Sequence, residues 1–371
     1  MLDLASGVRR QLGTGQHFRH SWLLILESGN GNADAHGEIQ LGVTSVRQQT
    51  KTLAFDVVLM VVAGFAPAIV MGLVGWSNGV NVAILAGLAI FIACMGGTGW
   101  RTGLFVSLPF AILAGLADWA AANPLWAAIV LALAAFLRGY AAKAGMHDAL
   151  IMTVISLGFI AASPPQSDPS IAAPVFVALV ALGASVWATL IMYLLRHRLH
   201  QHQHTPLDPT RVMTFSLVLA LLVGVATWAV VALDLGHTGG WIILTIVVVF
   251  QPSLGAGFTK AAHRAAGTVL GFLIAILVGL LVPSGPLLSL IGTVFLMVAF
   301  LLMLQGRPYW LYATVLTPAI VLLESSGSTV DTVAKERLGA TLIGVAVTLI
   351  VMLALVPFST RLFGTSSATT G

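Results

Sequence analysis

Between residues 53 and 358 the chain is a succession of apolar runs, most close to twenty residues long, parted by short breaks that carry glycine, proline and the basic residues. About twenty apolar residues is the length an α-helix needs to cross the hydrocarbon core of a bilayer. The runs predict twelve transmembrane helices, at 53–75, 80–96, 102–121, 124–141, 146–163, 171–195, 211–233, 239–252, 264–282, 286–305, 308–324 and 336–358. Only 8% of the 371 residues are charged and mean hydropathy is +0.98. A soluble domain carries about 25% charged residues, so this chain lacks the polar surface to be one. The fold class it predicts is an all-α, polytopic helical membrane protein.

Lysine and arginine set the expected orientation. With both termini cytoplasmic, all 17 of them fall inside except Lys335 and Arg337. The same placement brings Trp76, Trp119, Trp126 and Trp241 to the outer interface and Trp100 and Trp310 to the inner one, as an aromatic belt. The net charge of +4 and pI of 9.6 follow this membrane asymmetry, so no nucleic-acid partner is expected. The first thirty residues hold no apolar run long enough for a signal-peptide core, so targeting is expected to rest on the first membrane helix. The one cysteine, Cys94, leaves no internal disulfide and no thiolate metal cluster.

Five segments follow. Residues 1–52 read as a poorly ordered cytoplasmic tail, 53–195 as a first six-helix half, 196–210 as a linker, 211–358 as a second six-helix half, and 359–371 as a disordered tail. The linker carries His197, His200, His202 and His204, with no acidic or cysteine partner for a metal beside them, and reads as a solvated basic connector. Six helices per half is an even number, so the halves are expected to run as parallel repeats.

Within the second half a further repeat appears. Arg264 to Gly271 (Arg-Ala-Ala-Gly-Thr-Val-Leu-Gly) returns 73 positions later as Arg337 to Gly344 (Arg-Leu-Gly-Ala-Thr-Leu-Ile-Gly). Leu244-Thr245 and Leu316-Thr317 extend the likeness. The unit is three helices, an odd number, which predicts a 3+3 inverted repeat of the kind found in secondary transporters. Both motifs read as the openings of helices, one entered from each side of the membrane. Arg101, Thr102 and Gly103 stand at the matching place in the first half.

Each motif sets Arg, Thr and Gly on one helical stripe, since spacings of three, four and seven share a face. Lys260, Arg264 and Thr268 lie on one face of the first copy, with His263, Gly267 and Gly271 on the next; Arg337, Thr341 and Gly344 form the second copy. Glycines four apart let helices approach closely, and a guanidinium is a planar fork that fits a carboxylate. Lys260, Arg264, Thr268, Arg337 and Thr341 are therefore the expected organic-anion ligands, and Gly267, Gly271 and Gly344 the packing residues. Anchoring of Lys260 and Arg264 at lipid headgroups is the competing use of the same charges. Gln251 to Gly257 reads either as a re-entrant turn or as an ordinary short loop. Glu324, Glu336 and His263 are the candidates for proton coupling. No metal site, cofactor motif or catalytic constellation is expected, and Gly96-Gly97-Thr98-Gly99 lacks the lysine of a phosphate loop.

Trp241 to Gly271, with its Gln-Pro-Ser turn followed by Lys-Ala-Ala-His-Arg-Ala-Ala-Gly-Thr, resembles the signature of the fusaric acid resistance protein-like (FUSC) family of integral membrane transporters. Glu336-Arg337 through Gly344 is similar to that family's second helix start, and a more distant likeness runs to plant aluminium-activated malate transporters. The resemblance implies export of aromatic or other organic acids from a bacterial inner membrane, sometimes with a periplasmic adaptor, and it makes Arg264, Arg337, Lys260 and Thr268 substrate-path residues. The expected partners are the organic anion, the lipid bilayer, further copies of the chain and such an adaptor. Many relatives insert a large soluble domain between the membrane halves, where this chain has only Arg196 to Arg211. Two other functions fit the same residues: a passive organic-anion channel, and a non-transporting membrane scaffold in envelope assembly.

Overall fold

The structure is a computed structural model describing residues 58–59, 61–165, 172–196, 206–282, 285–325 and 329–358, and in it each of the twelve apolar runs is a helix. They are α1 (Ala66–Leu73, entered through a π-helical turn, Val61–Phe65), α2 (Ser77–Gly96), α3 (Trp100–Ala120), α4 (Pro124–Tyr140), α5 (Ile151–Ala162) and α6 (Ala172–Leu194) in the first half. The second half holds α7 (Pro209–Ala232), α8 (Gly236–Val249), α9 (Leu254–Leu281), α10 (Gly285–Leu304), α11 (Tyr309–Glu324) and α12 (Val330–Leu355). The tails 1–52 and 359–371 and the four linker histidines lie outside the described residues.

Among the described residues, eight helices are long and apolar enough to cross a membrane, and α1, α5, α8 and α11 are shorter. At a rise of 1.5 Å per residue, the 14 residues of α8 extend roughly 21 Å, less than the ~30 Å hydrocarbon core. Large side chains on the outer faces are left uncovered, with Phe105 at 80% exposure and Leu280 at 79%. Such faces suit lipid and not water.

Local chemistry sets the helix ends. Asn123 caps α4, its Oδ1 accepting from the amides of Leu125 and Trp126, and Pro124 occupies the first turn where no amide is needed. Asp208 and Pro209 repeat the device at α7. Ser253 caps α9, and this start overturns an expectation. The helix begins at Leu254 and not near residue 264, because Gly255 and Gly257, read as loop residues, lie inside its first turns and Gly257 is buried against Met352. By the same logic α12 begins at Val330. Arg264 and Arg337 therefore sit two to three turns inside their helices and do not open them.

The halves meet along two seams. α4 and α7 pair most extensively, with Gly139 against Ser216 and Gly224 against Ala132. Beside them the short helices α5 and α8 cross closely: Gly158 receives the Ile243 side chain and Gly240 receives the Phe159 ring. This second seam leaves room on one flank for a cavity.

Candidate anion-binding site

The cavity has a volume of about 430 Å³ and is walled by both halves. Its charged lining is Lys260 and Arg264 of α9 and Arg307 of the α10–α11 turn, with no carboxylate among the lining residues. Trp241 of α8 and Tyr309 and Tyr312 of α11 add aromatic surface beside these cations. Arg307 is exposed and Lys260 half-buried, whereas Arg264 is buried, so the charges run from an open mouth inward.

Arg264 Nη1 donates to the Tyr309 hydroxyl at 3.3 Å, and its Nε has no partner among the described residues. Arg337 is 2% exposed, and none of its three guanidinium nitrogens has a partner there. Its charge lies over the Trp241 ring, 3.6 Å from the centroid. Trp241 thus presents one aromatic side chain to both Arg337 and the cavity. The Oγ1 atoms of Thr268 and Thr341, each four residues beyond its arginine, are also buried without partners. An isolated buried charge costs on the order of several kcal/mol, and a buried donor left unpaired adds to it. Unused donors collected on two facing helices are what an anion or ordered water would satisfy.

The packing around these arginines is reciprocal. Gly271 of α9 closes on Thr317 of α11, where an added methyl would meet Thr317 Cβ at 2.6 Å. Gly344 of α12 closes on Thr245 of α8, with the matching approach at 2.7 Å. Each threonine returns its own hydroxyl to the carbonyl four residues back, Thr245 to Trp241 and Thr317 to Ala313. Pro318 lacks an amide, which frees the Thr314 carbonyl that Gly271 also approaches. Each motif helix therefore packs on the short helix of the other three-helix unit, and each arginine meets an aromatic residue there: Tyr309 for Arg264, Trp241 for Arg337.

At the open mouth Lys260 Nζ lies 3.9 Å from Asp148 Oδ1. Arg138 of α4, 1% exposed, donates from Nε to the His147 carbonyl at 3.0 Å and from Nη1 to the Val247 carbonyl at 3.1 Å. A cation at the carboxyl end of α8 complements the helix dipole and ties the first half to the second. Burial holds the neighbouring His147 below its usual 6.5; the charges of Arg138 and Lys260 act in the same direction and Asp148 opposes them.

A sequence profile described as fusaric acid resistance protein-like matches residues 212–351, which contain every cation of the cavity. Over that stretch the chain is similar to the fusaric acid resistance protein-like family. No curated protein and no solved structure gives a significant match to the chain.

Of the residues expected for a fusaric acid resistance protein-like site, Lys260 and Arg264 line the cavity, while Arg337, Thr268 and Thr341 are buried beside it and outside its lining. Gly267, Gly271 and Gly344 are tight helix contacts, Gly267 against Ala313 and the Trp310 carbonyl. The candidates for proton coupling are not brought together. Glu324 Oε1 is 2.9 Å from His237 Nε2, Glu336 is exposed, and His263 is half-buried and not among the lining residues. Trp241, expected in the outer aromatic belt, is 8% exposed because Arg337 and the cavity claim its ring, whereas Trp76, Trp119 and Trp126 are half exposed. In the first half Arg101 is exposed over Trp100, away from the site. Tyr309, Tyr312, Arg307 and Arg138 were not legible as site residues. The one available signal was that Tyr309 opens a short helix directly after Pro308, where an aromatic hydroxyl can turn inward.

Proposed function

We propose that this membrane protein is an exporter of small organic anions, aromatic carboxylates foremost, and that it performs no covalent chemistry. The observation that carries the reading is a cavity with three cations, no acid and an aromatic wall, set against a buried arginine whose donors have no partner. A carboxylate satisfies a guanidinium through two parallel hydrogen bonds, and its ring would lie among Trp241, Tyr309 and Tyr312. About 430 Å³ falls in the ~300–1,000 Å³ range of small-molecule sites. The family of the second half supports transport as the purpose of such a site.

The reciprocal contacts of Gly271 with Thr317 and Gly344 with Thr245 support reading α7–α9 and α10–α12 as inverted repeats. In the mechanism that follows, the anion enters past Arg307 and Lys260, is held by Arg264, and passes to Arg337 when Trp241 leaves the face of that guanidinium. We place the protein in a bacterial inner membrane with both termini cytoplasmic, so that the Lys260 mouth faces the cytoplasm. The test is retention of labelled benzoate by loaded cells expressing wild type, Arg264→Ala or Arg264→Lys at matched levels. Wild type accelerates efflux, alanine removes the acceleration and lysine restores part of it, because an ammonium supplies charge without the fork. Equal efflux from all three would overturn the proposal.

A further inference from the structure

The cavity's two walls differ in kind. Every lining residue from the first half is apolar: α2 contributes Ile84, Leu88 and Ile92 among others, and α5 contributes Met152, Ile155 and Phe159. None carries a charge or an N–H or O–H donor. All three cations stand opposite, on the second half. The segment that matches the family profile, 212–351, contains the charged wall and none of the apolar one. An occupant whose carboxylate meets Arg264 and whose ring lies among Trp241, Tyr309 and Tyr312 turns its far end toward α2 and α5, where no hydrogen-bonding side chain waits to hold a hydroxyl or a second carboxylate.

We propose that the α2–α5 wall determines specificity, with Ile92 and Met152 selecting the size and apolarity of the substrate's non-carboxylate end. The inference rests on the carboxylate reading of Arg264 and adds a division of labour to it: the second half recognises charge and the first half chooses among acids. Hydrophobic walls discriminate by volume, and one methylene more or less changes selectivity by roughly tenfold to two-hundredfold. Both residues are half-buried and face the cavity, so their replacement perturbs the lining more than the helix packing.

The experiment uses the full chain in proteoliposomes, with exchange of labelled benzoate against a series from unsubstituted benzoate to 4-butylbenzoate. The readout is the ratio of apparent affinities of the longest and shortest members. Met152→Ala enlarges the wall and is expected to raise that ratio about tenfold toward the long acid, and Ile92→Phe to lower it by a similar factor. Opposite shifts from the two variants support the proposal. An unchanged ratio in both, with exchange still abolished by Arg264→Ala, overturns it while leaving the anion reading intact. Exchange that survives Arg264→Ala removes the carboxylate reading itself, and the proposal with it.

Discussion

The guanidinium of Arg337 is the least satisfied group in the described residues: buried, bonded to nothing, and resting on one indole face. A desolvated cation–π contact of this kind is worth about 2 kcal/mol, less than the burial of the charge costs. The contact therefore does not by itself offset the buried charge, and in the proposed path Trp241 is the member that moves. Trp241→Ala is expected to uncover Arg337 to the cavity and convert coupled exchange into leak, whereas Trp241→Phe keeps a ring and most of the coupling. Anion flux into vesicles without counter-substrate distinguishes them; equal leak in wild type and Trp241→Ala would show that the ring is no barrier. The arginine and threonine stripe was legible because it occurs twice at one spacing. The aromatic partners were not, since tryptophan and tyrosine near span ends are equally expected at a membrane interface, and only tertiary packing tells the two uses apart.

At the scale of helices, the existence of all twelve could be read from apolar runs, while their lengths could not. Hydropathy does not register that Ser253 caps a helix or that Gly257 is a packing contact, and so the starts of α9 and α12 were placed too late. Both arginines consequently lie deep within their helices and not at the helix openings. The glycines that were legible carry a sharper expectation. Gly271→Ala and Gly344→Ala each force a methyl against a threonine on the partner helix and should cost about 1–3 kcal/mol through overpacking. Gly339→Ala is the control, since nothing lies within 4 Å of an added methyl there, and alanine should gain about 0.5–1 kcal/mol in a helix interior. Thermal unfolding in one detergent measures all three; a loss at Gly339 equal to that at Gly271 would contradict the close-packed reading.

Over the whole molecule, the halves divide the work of building one site, and Arg138 joins them near its mouth, beside the approach of Lys260 to Asp148. Replacing it by methionine removes the bonds to His147 and Val247. That should lower the unfolding midpoint and slow exchange together, whereas a loss of exchange at an unchanged midpoint would mean that Arg138 acts on the anion. The charge asymmetry behind the expected orientation also changes, because Lys260 and Arg264 lie inside α9, and Lys335 and Arg337 inside α12, and leave the loop count. The loop cations that remain still favour the same side.

Export by this route requires an organic anion to bind at Arg264. Calorimetric titration of the purified chain in detergent with benzoate reads this without any assumption about direction or coupling. Saturable binding to wild type, weakened by the ~2–5 kcal/mol typical of removing one partner of a buried charged contact in Arg264→Ala and by less in Arg264→Lys, is the predicted result. Binding of equal strength to wild type and Arg264→Ala, or to neither, would contradict it.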